Sequence, residues 1–510
     1  MMQAPARRLP AICALSAAGG FLLWQALSYH RAGLFEYPLD DVYIHLAMAS
    51  GIMGGTYGIN PGEPASAASS VLYPLLLLPF PGTGFQRMLP LLWNFAGLVG
   101  LAWLFGGFVA RMRLAGGVAV FLAALAPFAL NMPSVAALGM EHTLHALTVM
   151  VLLAGFWKFL STDRIGPALV VGAVLSPLFR FEGLALSLAV AGALALRGRM
   201  RAALALALAV IVPVALFVLF LVSQGLDPLP SSVLAKIGGK RGGFDPFLRL
   251  QANIIGQGGL VALAAYVLTL IALLHPTVRK DSRLSLFLMA VWLAATAHMI
   301  IGQVGWWGRY EHYYLVMIGT ALVAALPGFG AALRGITLSA ALAAACYHVF
   351  SAWNDYTWTA RSVHLQQRQM ARLAELLPGQ AVAVNDIGWM AWDRSGYVLD
   401  LWGLASAEAR RARLQGPDGR PAPEWAAKIV QRHGARYAMI YDQWIDVGIG
   451  AEWRRVATLV IRDPHGSLGG YKVSIYATDP DFEPELRDAV RRLAADMPAD
   501  AELTEVGNGG

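Results

Sequence analysis

Long apolar runs separated by short polar loops occupy the chain from its start to about residue 352. Most have about 15–22 residues, close to the length of a helix that crosses a bilayer. The predicted membrane helices cover about 10–28, 87–110, 114–131, 141–157, 166–178, 181–196, 202–222, 258–275, 284–302, 312–327 and 335–352. Segment 71–81 is also apolar but short and proline-rich, so we expect it to be re-entrant or interfacial. The pattern predicts about eleven transmembrane helices within residues 1–355.

The remainder, residues 356–510, has no spanning run. Segments of alternating apolar and polar residues predict strands at 381–386, 397–404, 437–444, 457–461 and 471–479. Amphipathic segments predict helices at 361–377, 423–433 and 483–496, and we expect the tail beyond them to be disordered. The expected fold class is a polytopic α-helical membrane protein with a C-terminal soluble α/β domain.

Composition agrees with this division. The chain is 57% hydrophobic and 14% charged, whereas about a quarter of the residues in soluble proteins are charged. Cys13 and Cys346 fall in apolar runs, which argues against a disulfide framework or a thiolate metal site. The net charge is +7. The basic residues lie largely in short loops, which favours a topology signal over nucleic-acid binding.

Those basic loops orient the chain. With the N-terminus in the cytoplasm, the loops at 111–113, 158–164, 197–201, 279–283 and 334 all fall on the cytoplasmic side, as the positive-inside rule requires. The same parity places the first long loop, 29–86, and the domain 356–510 on the outer side.

The first outer loop carries two adjacent carboxylates, Asp40 and Asp41. A carboxylate at a membrane surface, close to a second one, has its pKa pushed upward and is suited to take a proton from a hydroxyl group. Either residue could instead cap the helix that follows. A divalent-metal role together with His45 or Glu141 is the third alternative, although no ligand spacing specifies a metal.

Basic residues in other outer loops are candidates for holding a phosphate. Lys236 lies in a glycine-rich loop with Lys240 and Arg241, where cations and backbone amides could surround a lipid phosphate. The alternative is nonspecific contact with anionic membrane lipids. Arg309, together with His312, is a candidate at the start of another predicted helix.

Further polar residues lie at helix or strand ends. Arg180 and Glu182, in an apolar setting, are either functional or a structural clamp. Glu141 starts a predicted helix, where the helix dipole alone favours a carboxylate. Trp306 could stack on a sugar or belong to the interfacial belt. Asn385 and Asp386 end a predicted strand, where they either face a ligand or form a turn.

Six of these segments together resemble a known family, the GT-C glycosyltransferases. DDVYIHLAMASG and YGINPGEPASAASSVLYPLLL resemble the first periplasmic loop of that family, most of all that of the mycobacterial terminal arabinofuranosyltransferase and its bacterial relatives. LGMEHTLHAL, LPSSVLAK and the pair NDIGWMAW and VLDLWGL resemble further elements of that group. FRFEGL and GRYEHYYLVMI do so with departures, since Phe181 replaces a proline and Glu311 and His312 replace an apolar pair.

The resemblance implies an inverting transferase in the bacterial inner membrane. Its donor would be a polyprenyl-phosphate sugar, arabinofuranose on decaprenyl phosphate or a related lipid, and its acceptor a periplasmic glycan, lipid or protein. In this interpretation Lys236, Arg309 and Arg180 hold the donor phosphate, and Asp41 or Asp40 is the base. The rival is a transporter or flippase, which would place charged groups at mid-helix around a central site.

Overall fold

The structure, a computed structural model, describes residues 8–237, 244–393, 396–414 and 420–506, without the side chains of residues 236 and 237. Mostly apolar helices make up the part of the chain before residue 352. They are α1 (Leu9–Ala32), α2 (Asp41–Met53), α3 (Tyr73–Leu76), α4 (Gly84–Arg111), α5 (Gly116–Ala129), α6 (Met132–Ala137), α7 (His142–Thr162), α8 (Pro167–Phe179), α9 (Gly183–Leu196), α10 (Met200–Ser223), α11 (Ser231–Ile237), α12 (Pro246–Ile255), α13 (Gly259–Leu274), α14 (Pro276–Lys280), α15 (Ser282–Ile301), α16 (His312–Ala325) and α17 (Ala331–Ser351).

Seven helical segments in the described part of the chain are long and apolar enough to cross a membrane. They are Leu9–Ala32, Gly84–Arg111, Gly116–Ala137, His142–Thr162, Met200–Ser223, Ser282–Ile301 and Ala331–Glu375. The pair α12 and α13, bent by 109°, makes an eighth if it is one span, and α8, α9 and α16 are apolar but shorter. All eleven predicted segments are therefore helical. Whether all eleven cross stays a prediction, since the 13 residues of α8 extend only about 20 Å.

Several of these helices begin at residues whose side chains cap them. The Asp245 carboxylate accepts hydrogen bonds from the amides of Phe247 and Leu248, and Asp281 does the same at the start of α15. Such caps satisfy amide groups of the first turn that have no partner within the helix.

A six-stranded sheet lies in the C-terminal part. Its strands are β1 (Val382–Val384), β2 (Val398–Asp400), β3 (Tyr437–Ile440), β4 (Arg454–Ile461), β5 (Lys472–Ala477) and β6 (Ala501–Glu505), in the order β2-β1-β3-β5-β4-β6. Strands β2, β1 and β3 are parallel, and the other pairings are antiparallel. The accompanying helices are α18 (Thr357–Leu365), α19 (Gln367–Glu375), α20 (Gly388–Trp392), α21 (Ala407–Leu414), α22 (Trp425–His433), α23 (Asp442–Ile445) and α24 (Glu483–Ala494).

The five strands expected from the sequence are all present, but two expectations need correction. The helix predicted at 361–377 consists of α18 and α19, which meet at Gln366. The tail beyond α24, expected to be disordered, contains β6, which pairs with β4 from Ala457 to Ile461. This pairing satisfies backbone groups that β4 would otherwise leave open at the edge of the sheet.

Two features bring the sheet to the membrane helices. A continuous helical segment, Ala331–Glu375, joins them, and α2 of the first long loop packs against α20, with the rings of Tyr43 and Trp389 4.2 Å apart. Because β1, β2 and β3 are parallel, their carboxyl ends meet at one edge. Ligand contacts in α/β sheets concentrate at such an edge.

Candidate functional site

A cavity of about 370 Å³ lies between the ends of the membrane helices and the carboxyl edge of the parallel strands. The membrane helices and their loops line it with polar groups: Asp41, His45, Ser69, His142, Arg180, Ser232, Gln303, Trp306, Arg309 and Tyr310. The sheet domain contributes Asn385, Asp386, Asp400, Trp402 and Trp444. Residues from all six segments singled out in the sequence thus meet around one space.

Asp41 and Arg309 form an ion pair in this cavity. Their Oδ2 and Nη2 atoms lie 2.6 Å apart, although the residues are 268 positions apart in the chain. The Arg309 side chain is only 4% exposed, whereas that of Asp41 is 37% exposed. Arg309 also donates to the hydroxyl group of Tyr310. A buried guanidinium group therefore holds an accessible carboxylate in place.

The two arginines of the cavity keep N–H groups unused. The buried Nε and Nη1 atoms of Arg309 and the Nε atom of Arg180 have no hydrogen-bond partner in the part of the chain that the structure describes. A buried donor without a partner costs about 1–3 kcal/mol and is uncommon in folded proteins. An anion with several oxygen atoms would satisfy these donors. The cavity is therefore suited to an anionic ligand.

Arg180 lies between two carboxylates. Its Nη1 donates to Glu141 and its Nη2 to Glu182, each at a distance of 2.6 Å. The buried Glu141 also accepts from the Ser69 hydroxyl and lies 3.3 Å from His45 Nε2. The Arg180–Glu182 clamp considered from the sequence is thus present. Both glutamates contact Arg180 but do not line the cavity, so their place in the structure is behind the arginine.

Asp40 connects the two parts of the molecule. It makes no capping hydrogen bond to its own helix α2. Its carboxylate accepts instead from the backbone amides of Gly388 and Trp389, at the start of α20 in the sheet domain. The two hydrogen bonds are 2.6 and 2.8 Å long. The approach is so close that a Cβ atom at Gly388 would overlap the carbonyl oxygen of Asp40. Asp40 therefore does not cap α2, the helix that follows it, as considered from the sequence. It binds the first amides of α20 instead.

Asp386 lies beside this contact. It accepts from the Gln367 amide over 2.9 Å and from the Tyr441 hydroxyl. Burial, followed by the negative charge of Asp386, raises the pKa of Asp40 well above its usual range, and burial likewise raises the pKa of Asp386. This pair is thus suited to sharing a proton next to Asp41. The side-chain oxygen Oδ1 of Asn385 accepts from the Tyr441 backbone amide, so both residues after β1 hold structure as well as lining the cavity.

Trp306 lies on a strained loop at the cavity wall. Trp306 and Trp307 both adopt positive φ angles, 56° and 63°, a conformation that costs of order 1–3 kcal/mol for residues other than glycine. Anchors on both sides offset this cost. The Gly305 amide donates to the buried Glu311 carboxylate over 2.8 Å, and the Trp307 carbonyl accepts from Asn131. Burial raises the pKa of Glu311 to about 8.

Of the predicted phosphate ligands, His312 does not line the cavity, and the prediction for Lys236 stays untested. The Nδ1 atom of His312 lies 3.0 Å from the carbonyl oxygen of Leu130, because the first residue of α16 faces the end of α5. Lys236 belongs to α11, but its side chain lies outside the described residues, as do Lys240 and Arg241. The start of α11 does reach the cavity through Ser232.

Sequence reasoning missed several residues of the cavity wall, namely Ser232, Gln303, Tyr310, Asp400, Trp402 and Trp444. Asp400 and Trp402 end a predicted strand, as Asn385 and Asp386 do, and could have been selected by the same rule. Trp444 follows β3, but no local pattern separates it from the other tryptophans of the chain.

Protein cations pair with two of the carboxylates considered as metal ligands. Asp41, which lines the cavity, is paired with Arg309, and Glu141, behind it, with Arg180. Asp386 and Asp400 also line the cavity and accept hydrogen bonds from protein amide groups. His45 and Glu141, considered as metal ligands with the doublet, lie together, but the described ranges contain no group of three or more histidine, cysteine or acidic residues that could hold a metal ion. This set of side chains does not fit a divalent cation, and no step is assigned to one.

By its fold, the chain is a multi-pass membrane protein. The ends of its membrane helices face a mixed sheet across a polar cavity. In agreement, its structure is similar to that of the Archaeoglobus fulgidus oligosaccharyltransferase in complex with Zn and sulfate. The TM-score is 0.50 at 12% sequence identity, and the match covers 98% of this chain and 75% of that one. The chain thus has the GT-C fold predicted from the sequence.

Other comparisons add less. The archaeal oligosaccharyltransferase AglB from Archaeoglobus fulgidus, in complex with an inhibitory peptide and a dolichol-phosphate, gives a TM-score of 0.45 at 13% identity, over 99% of this chain and 76% of that one. Residues 354–476 match a family described as a domain of unknown function, DUF8728. No curated protein matches the sequence significantly. The structural likeness does not single out the arabinofuranosyltransferase group within this fold.

Proposed function

We propose that the protein is an inverting membrane glycosyltransferase whose donor is a sugar linked to a polyprenyl phosphate. The sugar implied by the sequence resemblance is arabinofuranose. The membrane domain would admit the lipid donor from the outer leaflet of the bacterial inner membrane, and the acceptor would enter from the periplasm, between the first loop and the sheet domain.

The observation that carries this proposal is the arrangement of Asp41, Arg309 and Arg180. An accessible carboxylate and two buried guanidinium groups with unused N–H donors line one cavity at the ends of apolar helices. A glycosyl transfer from a lipid phosphate needs both kinds of group: a base for the acceptor hydroxyl and fixed cations for the departing phosphate.

The chemistry then follows from these roles. The acceptor oxygen attacks the anomeric carbon of the donor as its proton passes to the Asp41 carboxylate. The bond between the anomeric carbon and the phosphate oxygen breaks, and the polyprenyl phosphate leaves with the electron pair. Arg309 and Arg180 stabilise the charge on this phosphate, and Lys236 is a further candidate for this role. No general acid is needed, because the phosphate leaves as an anion.

The roles of the surrounding residues are to hold these groups. Glu141 and Glu182 fix the guanidinium group of Arg180. Asp40 fixes the start of the loop helix that carries Asp41. Trp306, on its strained loop, lines the same cavity and is a candidate for contact with the donor sugar.

Transfer from radiolabelled polyprenyl-phosphate sugars tests the proposal. Purified protein in lipid nanodiscs is incubated with such donors and with cell-envelope acceptor material, and sugar release from the lipid is measured. We expect Arg309→Ala to weaken donor use roughly 10- to 100-fold, because a charge-assisted hydrogen bond contributes about 1.5–3 kcal/mol. Arg309→Lys should be impaired less than Arg309→Ala, because it keeps the charge but loses the planar fork.

The matched control is Arg199→Gln. Arg199 forms an exposed ion pair with Asp163 away from the cavity, so its loss should leave donor use unchanged. Movement of the labelled lipid across the bilayer with its sugar–phosphate bond intact would favour the flippase instead. Equal activity of the wild type and Arg309→Ala would exclude the proposed phosphate site.

A further inference from the structure

We propose that the acceptor is a carbohydrate, and that the tryptophan pair Trp402 and Trp444 of the sheet domain is the platform that binds it. This inference rests on the proposed function, because it names the second substrate of the same cavity. It assigns a role to aromatic residues that the transfer chemistry itself does not use.

The two rings form one partly exposed aromatic surface on the cavity wall. Their centroids lie 4.4 Å apart with the planes tilted by 41°, and both residues line the cavity. They come from the ends of different strands, Trp402 after β2 and Trp444 after β3. The sheet domain thus presents them across the cavity from the arginines that would hold the donor phosphate.

The pair is held rigidly from behind. The guanidinium group of Arg413 lies 3.6 Å from the centre of the Trp402 ring and covers one of its faces. Trp444 packs on the ring of Tyr441, and Gly469 approaches so closely that a Cβ atom there would lie 2.7 Å from the Trp444 ring. Protein groups therefore hold both rings in place, and both partly exposed side chains line the cavity.

The loop that carries Trp402 is fixed as well. Asp400, which is 1% exposed, accepts hydrogen bonds from the amides of Trp402, Gly403 and Ala405 over 2.6–3.0 Å. A rigid aromatic surface binds a flat apolar face without a further loss of side-chain entropy.

Unused polar atoms lie around the same space. Asn385 Nδ2 and Ser232 Oγ line the cavity, are buried, and have no hydrogen-bond partner within the described ranges. A sugar ring has an apolar face for the tryptophans and hydroxyl groups that both donate and accept hydrogen bonds. It satisfies the two kinds of group together, which a hydrocarbon chain does not.

A peptide acceptor fits this wall less well. Peptides commonly bind α/β sheets by adding a strand to an exposed edge. The edge strand beside the cavity is β2. The amide and the carbonyl group of Val398 in this strand are already hydrogen-bonded to the Asn60 side chain, at distances of 3.1 and 2.9 Å. The side of the edge strand that faces the first loop is thus occupied.

Binding without donor tests the inference separately from the transfer reaction. Saturation-transfer NMR is recorded on the full chain in nanodiscs with a panel of neutral pentose, hexose and amino-sugar oligosaccharides, and with a serine- and threonine-containing peptide. We expect Trp402→Ala and Trp444→Ala to weaken oligosaccharide binding about tenfold, and Trp402→Phe to retain most of it. Trp453→Ala is the matched control, since Trp453 packs on Tyr476 in the same domain and does not line the cavity.

A second arm separates acceptor from donor. In Trp402→Ala the acceptor KM should rise about tenfold, whereas the donor KM should change by a clearly smaller factor. If the donor KM rises equally, the platform holds the donor sugar and the inference is wrong. It is also overturned if no oligosaccharide of the panel binds, if binding ignores both alanine substitutions, or if the peptide binds with the same tryptophan dependence. Failure of transfer with intact oligosaccharide binding would count against the proposed function alone.

Discussion

Asp41, the proposed base, makes one ion pair and is otherwise accessible. Arg309 holds one of its oxygen atoms, while the side chain as a whole is open to the cavity. Asp40, its neighbour, is 7% exposed and bonded to the amides of α20. Two identical residue types in sequence thus have separate tasks, which we interpret as proton transfer at Asp41 and docking at Asp40.

The first prediction is made for Asp41. Asp41→Asn keeps the size of the side chain and an oxygen for Arg309, but it cannot take up the hydroxyl proton. Positioned bases contribute about 10²–10⁴-fold, so turnover should fall by at least that factor while donor binding survives. Single-turnover transfer and equilibrium binding of the labelled donor measure the two effects. Near-normal turnover in Asp41→Asn would mean that another group takes the proton.

Gly388 gives a second prediction at the residue scale. Alanine there would push against the Asp40 backbone, because a Cβ atom has no room. We expect Gly388→Ala to destabilise the contact between the loop and the sheet domain by about 1–3 kcal/mol, seen as a lower melting temperature and faster proteolysis near residue 388. Gly192→Ala, at an open position in α9, should melt like the wild type. Unchanged proteolysis in Gly388→Ala would show that the contact can yield.

At the scale of elements, the decisive contact is that between α2 and α20. Asp40 binds the first amides of α20, and the ring of Tyr43, in α2, packs on that of Trp389, in α20. The membrane loop and the sheet domain therefore form the cavity together. Asp386, between β1 and α20, places a second, half-buried carboxyl group beside this contact.

This contact should depend on pH. Burial is the main cause that raises the pKa values of Asp40 and Asp386 in the folded state. The negative charge of Asp386 adds to the pKa shift at Asp40, and that of Asp41 adds to the pKa shift at Asp386. Folding therefore favours the protonated forms of both groups. Their contribution to stability is fully present below the ordinary carboxyl pKa of about 4 and is lost as the pH rises through the raised values. Melting temperatures measured upward from about pH 4 should fall for the wild type and fall less for Asp386→Asn. Parallel slopes for both proteins would contradict this account.

At the scale of the whole molecule, the proposal requires both domains to meet at the periplasmic face. A direct test uses single cysteines in a Cys346→Ala background, with Cys13 buried. We expect a membrane-impermeant maleimide to label Glu452→Cys in spheroplasts, and to label Gly330→Cys only after lysis, because positive-inside topology places these positions on opposite sides. Both positions are exposed. Labelling of both positions from one side would show that the predicted number of membrane crossings between them is wrong.

The sequence by itself determined most of the elements and the candidates for the chemistry. Runs of apolar residues indicated eleven of the helices before residue 352, and alternation indicated five of the six strands, because burial patterns have local periods. Asp41, Arg309 and Arg180 were also identified from sequence, since charged groups beside apolar runs are costly and therefore conspicuous. The fold class followed from the same patterns.

Only the tertiary structure decided which groups meet. Asp41 pairs with Arg309 across 268 positions, Asp40 caps a helix 348 positions away, and His312 turns to Leu130 instead of the cavity. The Trp402 and Trp444 pair and strand β6 likewise depend on neighbours distant in the chain. A local pattern gives the direction in which a residue is buried, but partners are set by how helices and strands pack against one another, and packing is a property of the whole chain.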